Sequence, residues 1–252
     1  MAEIGYARTD NDLAGEINWE LRWPQAIRIF ARMVREDTQV KSVLSAVKLP
    51  IRRTTWRVDP NGAPDDVVRL VAEDLRLPVL GDDGQTPLAE TGGHASFKAH
   101  LPWALRQLDY GHAFFEVVYR EHGGRDRLHK LAYRPPSTIS EIKVERDGGL
   151  AGIVQHAGPG DKGPVKIPVD HLVAYIHDPD DMSWTGTSAL RAAYKNWKLR
   201  DRQLLLEDRV LDRNGMGVPI YTSATTDERE IKRGEAIAKK LRSGAYAGGS
   251  LP

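Results

Sequence analysis

The stretch GTSALRAAYKNWKLRDRQLLLEDRVLDRNG, residues 186–215, is the longest helical pattern in the chain, and its reading decides the architecture. At about 100° per residue, Leu190, Ala193, Tyr194, Trp197, Leu204 and Leu211 share one face. Arg191, Lys195, Lys198, Arg202, Arg209 and Arg213 fall within about 60° of one another on a different face. A helix running from Thr187 to Arg213 would carry these cations in a line about 33 Å long. Asp201, Glu207, Asp208 and Asp212 lie on the flanks. An ordinary solvated helix mixes signs through i,i+4 pairs, whereas here the acids avoid the line. Such a stripe matches a phosphate backbone without reading bases. In a symmetric ring the helix would repeat, and the stripe would become a charged lining.

Upstream of this helix the period is that of strands. Residues 112–121, 127–133, 138–146, 150–156, 164–168 and 171–176 alternate and are rich in β-branched side chains. Glycine pairs at 123–124 and 148–149, and Gly158-Pro159-Gly160, separate several of them, which predicts a small antiparallel β region. Earlier still, residues 17–47 carry a helical pattern. Pro24 and Glu36-Asp37-Thr38 divide it into two helices, with Asp37 or Thr38 as cap. Leu49-Pro50 predicts a stop and 51–58 a strand. A short amphipathic helix follows at 65–77, then a Gly/Pro/Asp-rich loop at 78–93. Residues 95–110 predict a helix closed by Gly111. After the long helix come a brief strand at 218–222 and a last helix at 227–242 opening on Thr226-Asp227. Residues 1–15 read as a polar arm. Helices, a β insert and a long helix make the class α+β.

Composition bounds the function. Lys+Arg number 36 against 35 Asp+Glu, a formal net charge of +1, so the chain is not coated in positive charge that grips DNA all over. A local stripe is compatible with that balance. With no cysteine, thiolate metal sites, disulfides and Cys nucleophiles are excluded. No apolar run approaches the ~20 residues of a membrane span, and the first residues have no apolar core of a secretory signal.

Three constellations invite an enzyme reading. His177-Asp178-Pro179-Asp180-Asp181 offers hard-cation ligands, so a metal-dependent nuclease or phosphodiesterase using His177, Asp178 and Asp181 is an alternative; an Asp-rich turn before a helix explains the same residues. His112 and Glu116 lie on one side of a strand and could act as an acid/base pair, or be ordinary surface residues. The six tryptophans could stack on bases, but Trp103 and Trp197 fit helical core faces. Neither GxSxG, Walker A nor HExxH occurs. The expectation is therefore no catalytic residue, no metal and no cofactor.

ALRQLDYGHAFFEVVYRE (104–121), LAYRPPSTI (131–139), IPVDHLVAYIH (167–177) and GTSALRAAYKNWKLRDRQLLLEDRVLDRNGMGVPI (186–220) together resemble the portal proteins of tailed phages, the Mu-like and actinobacteriophage branch above all. The resemblance implies a portal-like fold of wing, long stem helices and small β clip. Residues 1–94 would be the N-terminal part of the wing, and 95–124 a helix leading to the stem plus a strand. Residues 125–180 would contain the clip, and 181–216 the long stem helix. Residues 217–252 would return to the wing and, from 242, begin a channel loop. The family's C-terminal crown has no counterpart in the sequence, as if the chain were cut in mid-architecture.

The resemblance also implies a homo-oligomeric ring, a dodecamer, at one capsid vertex of the virion. Double-stranded DNA would pass through it during packaging and ejection. Terminase, the major capsid protein and head–tail adaptor proteins would be partners; assembly would take place in the host cytoplasm, away from membranes. Arg191, Lys195, Lys198, Arg202, Arg209 and Arg213 would then face the DNA channel or an inter-subunit seam. Charge reversal at two of them would impair packaging while leaving rings intact, if they face the lumen. A head–tail scaffold that lines no channel is the remaining alternative.

Overall fold

The computed structural model describes residues 16–81, 95–160, 162–179, 184–214, 220–222, 226–240 and 249–251. The expected arm at 1–15, most of the loop at 78–93, Asp181, Gly215 and the expected channel loop other than 249–251 lie outside these residues. The chain divides into two compact units, Met1–Ala192 and Ala193–Pro252.

In the first unit, α1 (Gln25–Glu36) and α2 (Thr38–Arg53) part at Asp37. Its carboxylate accepts from the backbone N–H groups of Gln39 at 2.8 Å and Val40 at 3.1 Å, the N-cap that the sequence predicts. Asp37→Ala should lower the stability of this unit by about 1 kcal/mol in urea denaturation. The expected stop at Leu49-Pro50 is corrected: α2 continues through Pro50 to Arg53. Proline removes one N–H, but so close to the end only the last turn depends on it, and the Pro50 carbonyl still accepts from Thr54 at 3.0 Å. The strand expected at 51–58 is thereby reduced to a single parallel bridge between Val58 and Val79.

Helix α3 (Asp65–Leu75) places Asp65 and Asp66 in its first turn, where acids oppose the helix dipole. Its far end is clamped onto β2 (Arg125–Arg134). The Arg127 guanidinium donates to Asp74 and Glu73, both at 2.8 Å, and the Leu128 N–H donates to Asp74 at 2.9 Å. The helix expected over 95–110 is two shorter ones, α4 (Phe97–Ala104) and α5 (Gln107–Tyr110), and Gly111 caps the second in the left-handed region at φ 90°.

The six predicted strands form. β1 (His112–His122) pairs antiparallel with β2 on one side and β6 (Leu172–Ile176) on the other. β3 (Ile139–Val144), β4 (Leu150–Gln155) and β5 (Val165–Pro168) make a second antiparallel sheet. The period-2 alternation of β1 sends Phe114 to one face and Ala113 and Phe115 to the other. Phe114 meets Ile139, Leu150, Ile153 and Ile167 of the second sheet, with Trp23 and Trp184 packed against them. Phe115 and Ala113 pack with Ala104 of α4. Trp103 departs from its expected core place: it is 48% exposed, its ring 5.2 Å from Tyr133 and the Arg106 guanidinium 5.6 Å above it.

The second unit holds α6 (Tyr194–Asn214), α7 (Glu228–Lys240) and a parallel pair, β7 (Ile220–Thr222) with β8 (Gly249–Leu251). Asp227 accepts from the Arg229 N–H at 3.1 Å, opening α7 as the sequence predicts. No helix among the described residues is long and apolar enough to cross a membrane.

Candidate functional site

The segment before α6 does not join the helix, because its polar groups are taken elsewhere. The Ser188 hydroxyl donates to the Asp109 carbonyl at 2.7 Å and itself accepts from the Leu190 N–H at 3.1 Å. The Ala189 N–H donates to the Leu108 carbonyl at 3.0 Å. Leu190 is buried. These bonds hold 188–190 on the turn that ends α5, so the helix starts at Tyr194, seven residues after the expected Thr187. The same turn is fixed from the other side, where Lys48 of α2 forms an ion pair with the buried Asp109.

Two glycines make this junction. Gly111 and Gly186 both have positive φ, 90° and 58°. Their backbones pass so close that a Cβ on Gly111 would lie 2.5 Å from the Thr185 carbonyl oxygen. A Cβ on Gly186 would lie 2.7 Å from the His177 carbonyl oxygen and nearer still to that of Gly111. Through the gap, the His177 N–H donates to Gly111 O and the Thr187 N–H to His177 O, both at 2.8 Å. Close approach of this kind is what glycine permits.

Both histidines singled out in the sequence serve the junction. His112 is a correction to its expected surface place: it is wholly buried, its Nδ1 at 2.8 Å from the Thr185 carbonyl. Burial pushes its pKa down from 6.5 to about 4, against a smaller opposing effect of the Thr185 hydrogen bond. Glu116 forms an ion pair with Arg134 instead of meeting His112. His177 Nδ1 lies 2.7 Å from the Thr187 carbonyl, and Asp178 sits at φ 45°. Among the described residues no group of three His, Asp or Glu side chains could hold a metal ion; Asp181 is outside them.

Arg191 precedes α6 and is not on its surface. Its guanidinium makes a two-pronged ion pair with Glu16, one arm at 2.8 Å. Lys195, Lys198, Arg202 and Arg209 lie on α6 and are exposed; Arg213 lies on it too, its side chain beyond the described ones. The line from Lys195 to Arg213 spans about 27 Å. Tyr194, predicted on the apolar face, is buried, with its ring 6.2 Å from Trp197 and the Lys198 ammonium 5.6 Å away.

The rest of that apolar face is not covered. Leu204 and Leu211 are 55% and 60% exposed. A second apolar edge, made by Leu199, Leu206 and Val210, is also exposed, at 52%, 49% and 57%. The face that carries Trp197 and Leu204 does not include this edge. Its signal is the seven-residue spacing that relates Leu199 to Leu206 as it relates Trp197 to Leu204 and Leu211. Leu205, between the cations and the acids, is exposed too, at 57%, so apolar surface of this helix is open on more than one side.

The family model described as portal protein of Mu bacteriophage matches residues 27–250. Among solved structures, the chain resembles one in the virion of a native gene transfer agent particle, at 13% identity and a TM-score of 0.52, over 93% of this chain and 58% of that one. It also resembles one in the neck of an empty gene transfer agent particle, at 16% identity and a TM-score of 0.52, over 90% and 57%. The chain thus spans somewhat more than half the length of the structures it matches, and at these identities the likeness is one of fold.

Proposed function

The chain belongs to the family of Mu bacteriophage portal proteins, and from that membership we propose that it is a structural subunit of a ring at a capsid vertex, through which double-stranded DNA enters and leaves the virion. The observation that carries this reading is α6: it exposes apolar side chains and bears a row of cations, suited either to a phosphate backbone or to the acids of a neighbouring copy. DNA must slide, so a passage wall cannot hold it tightly. A chain of net charge +1 with its cations confined to a row meets that need better than a strongly basic surface.

In this reading α6 and the residues around it, 181–216, are the stem; 125–180 contain the clip; 1–94 and 217–252 belong to the wing, with 95–124 leading to the stem. Lys195, Lys198, Arg202, Arg209 and Arg213 face the channel or the seam between subunits. Arg191, held by Glu16, braces the segment before the stem. The subunit performs no chemistry of its own: a terminase drives the DNA, and the ring docks it together with capsid and head–tail adaptor proteins. The ring is a dodecamer, assembled in the host cytoplasm.

Mass measurement with negative-stain imaging tests the reading. A large ring with an axial hole is expected; a monomer or small oligomer would overturn it.

A further inference from the structure

Resting on the ring reading, we propose that neighbouring copies of α6 pack side by side, parallel and in register, and that the Arg202–Arg209 row belongs to this seam, where it meets Asp201 and Asp208 of a second copy. The order of side chains around the helix sets this pairing. Taking Arg202 as origin, Arg209 and Lys195 lie within about 20° of it, and Leu206, Leu199 and Val210 follow at about 40–80° on one side. Asp201 and Asp208 lie at about 100–120° on the other side, and Trp197, Leu204 and Leu211 beyond them at about 140–180°. Each edge is therefore a charged row followed by an apolar one in the same outward order, but with opposite charge. Laid edge to edge, Asp201 meets Arg202 and Asp208 meets Arg209, and the exposed leucines of each edge cover those of the other.

The symmetry follows from the charges. A two-fold pairing sets each edge against itself, acid on acid or base on base, which is destabilising. Only a head-to-tail contact joins unlike edges, and such a contact propagates until it closes. Neighbours in a closed rotational ring stand at equal height. Asp201 and Arg202, like Asp208 and Arg209, differ by one residue, a rise of about 1.5 Å, so the rows meet without stagger.

The test is a charge swap in the 252-residue chain, followed by native mass measurement. Asp208→Arg alone and Arg209→Asp alone should each lose the ring, and D208R/R209D together should regain it. If the wild-type chain forms no ring, the reading beneath this proposal fails. If it forms rings and both single variants do as well, or the double variant stays apart, the seam is wrong while the ring stands. A second measurement guards against misfolding of the charged variants. The chain has no cysteine, and positions 204 and 206 point about 160° apart, so they cannot cross-link within one helix. Oxidised L204C/L206C should give a ladder of covalent multimers on a denaturing gel, and either cysteine alone should stay monomeric. Dimers from a single cysteine, or no ladder, would overturn the parallel seam.

Discussion

Replacing Gly111 or Gly186 by alanine should cost the first unit about 4 kcal/mol or more, a large share of the stability a domain of this size has. Two effects add. Both residues sit at positive φ, where an L side chain is strained by about 1–3 kcal/mol. In addition, the new Cβ meets carbonyl oxygens inside van der Waals contact: Thr185 O at 2.5 Å for Gly111, His177 O at 2.7 Å for Gly186. Backbone cannot swing aside as a long side chain can. The segments must separate, and the hydrogen bonds from His177 N–H to Gly111 O and from Thr187 N–H to His177 O go with the contact. Gly123 is the control, since it has φ 62° but, among the described residues, nothing within 4 Å of the added carbon. Gly123→Ala should cost about 1 kcal/mol, the backbone strain alone. Urea denaturation of the three variants checks this; equal losses at all three positions would remove the close approach from the account.

Acid should weaken the same junction through His112. The neutral imidazole is the buried form, with a folded pKa near 4 against 6.5 when unfolded. The unfolded chain therefore takes up a proton that the folded chain refuses. Stability contributed by this group is intact above about pH 6.5, falls as pH drops, and is lost below about pH 4. The full difference is about 3 kcal/mol, an order-of-magnitude figure. Among the described residues the Nε2 atom has no hydrogen-bond partner, so a proton placed there would be buried without an acceptor from them. His112→Asn keeps an N–H near the Thr185 carbonyl and removes the titration. Its melting temperature should start lower at pH 7, because the smaller side chain leaves space, but should fall less than that of the wild type between pH 6.5 and 4. Parallel melting curves would show that other groups govern the acid response.

The strands were legible because alternation is a short-range signal. In β1 alternation fixes the strand, but the run His112-Ala113-Phe114-Phe115 is covered on both faces by two hydrophobic layers, which alternation alone does not give. Asp37 was legible as a cap for the same reason: capping needs only the next few N–H groups. What the sequence hid was long-range. Ser188-Ala189-Leu190 carries helix-compatible residues, yet Leu108 and Asp109, about eighty residues earlier, claim its N–H and hydroxyl groups. Their claim displaced the start of α6 and took Arg191 off the cationic row. His112 was misplaced for a similar reason, because strand periodicity says nothing about a carbonyl on a distant loop. Ile51-Arg52-Arg53 reads as strand until the continuation of α2 through Pro50 is seen. The helix that carries Lys195 to Arg213 forms, and beside their row stands a second leucine edge that one-face periodicity does not pick out.

In the proposed ring α6, multiplied by rotation, walls a passage. A three-dimensional reconstruction of the assembled particle, at a resolution that separates helices, measures it directly. The account predicts copies of α6 standing side by side around a central hole wide enough for a DNA duplex, each touching the next through its leucine edges. A ring whose hole is walled by other segments, with α6 pointing outward into solvent, would contradict it.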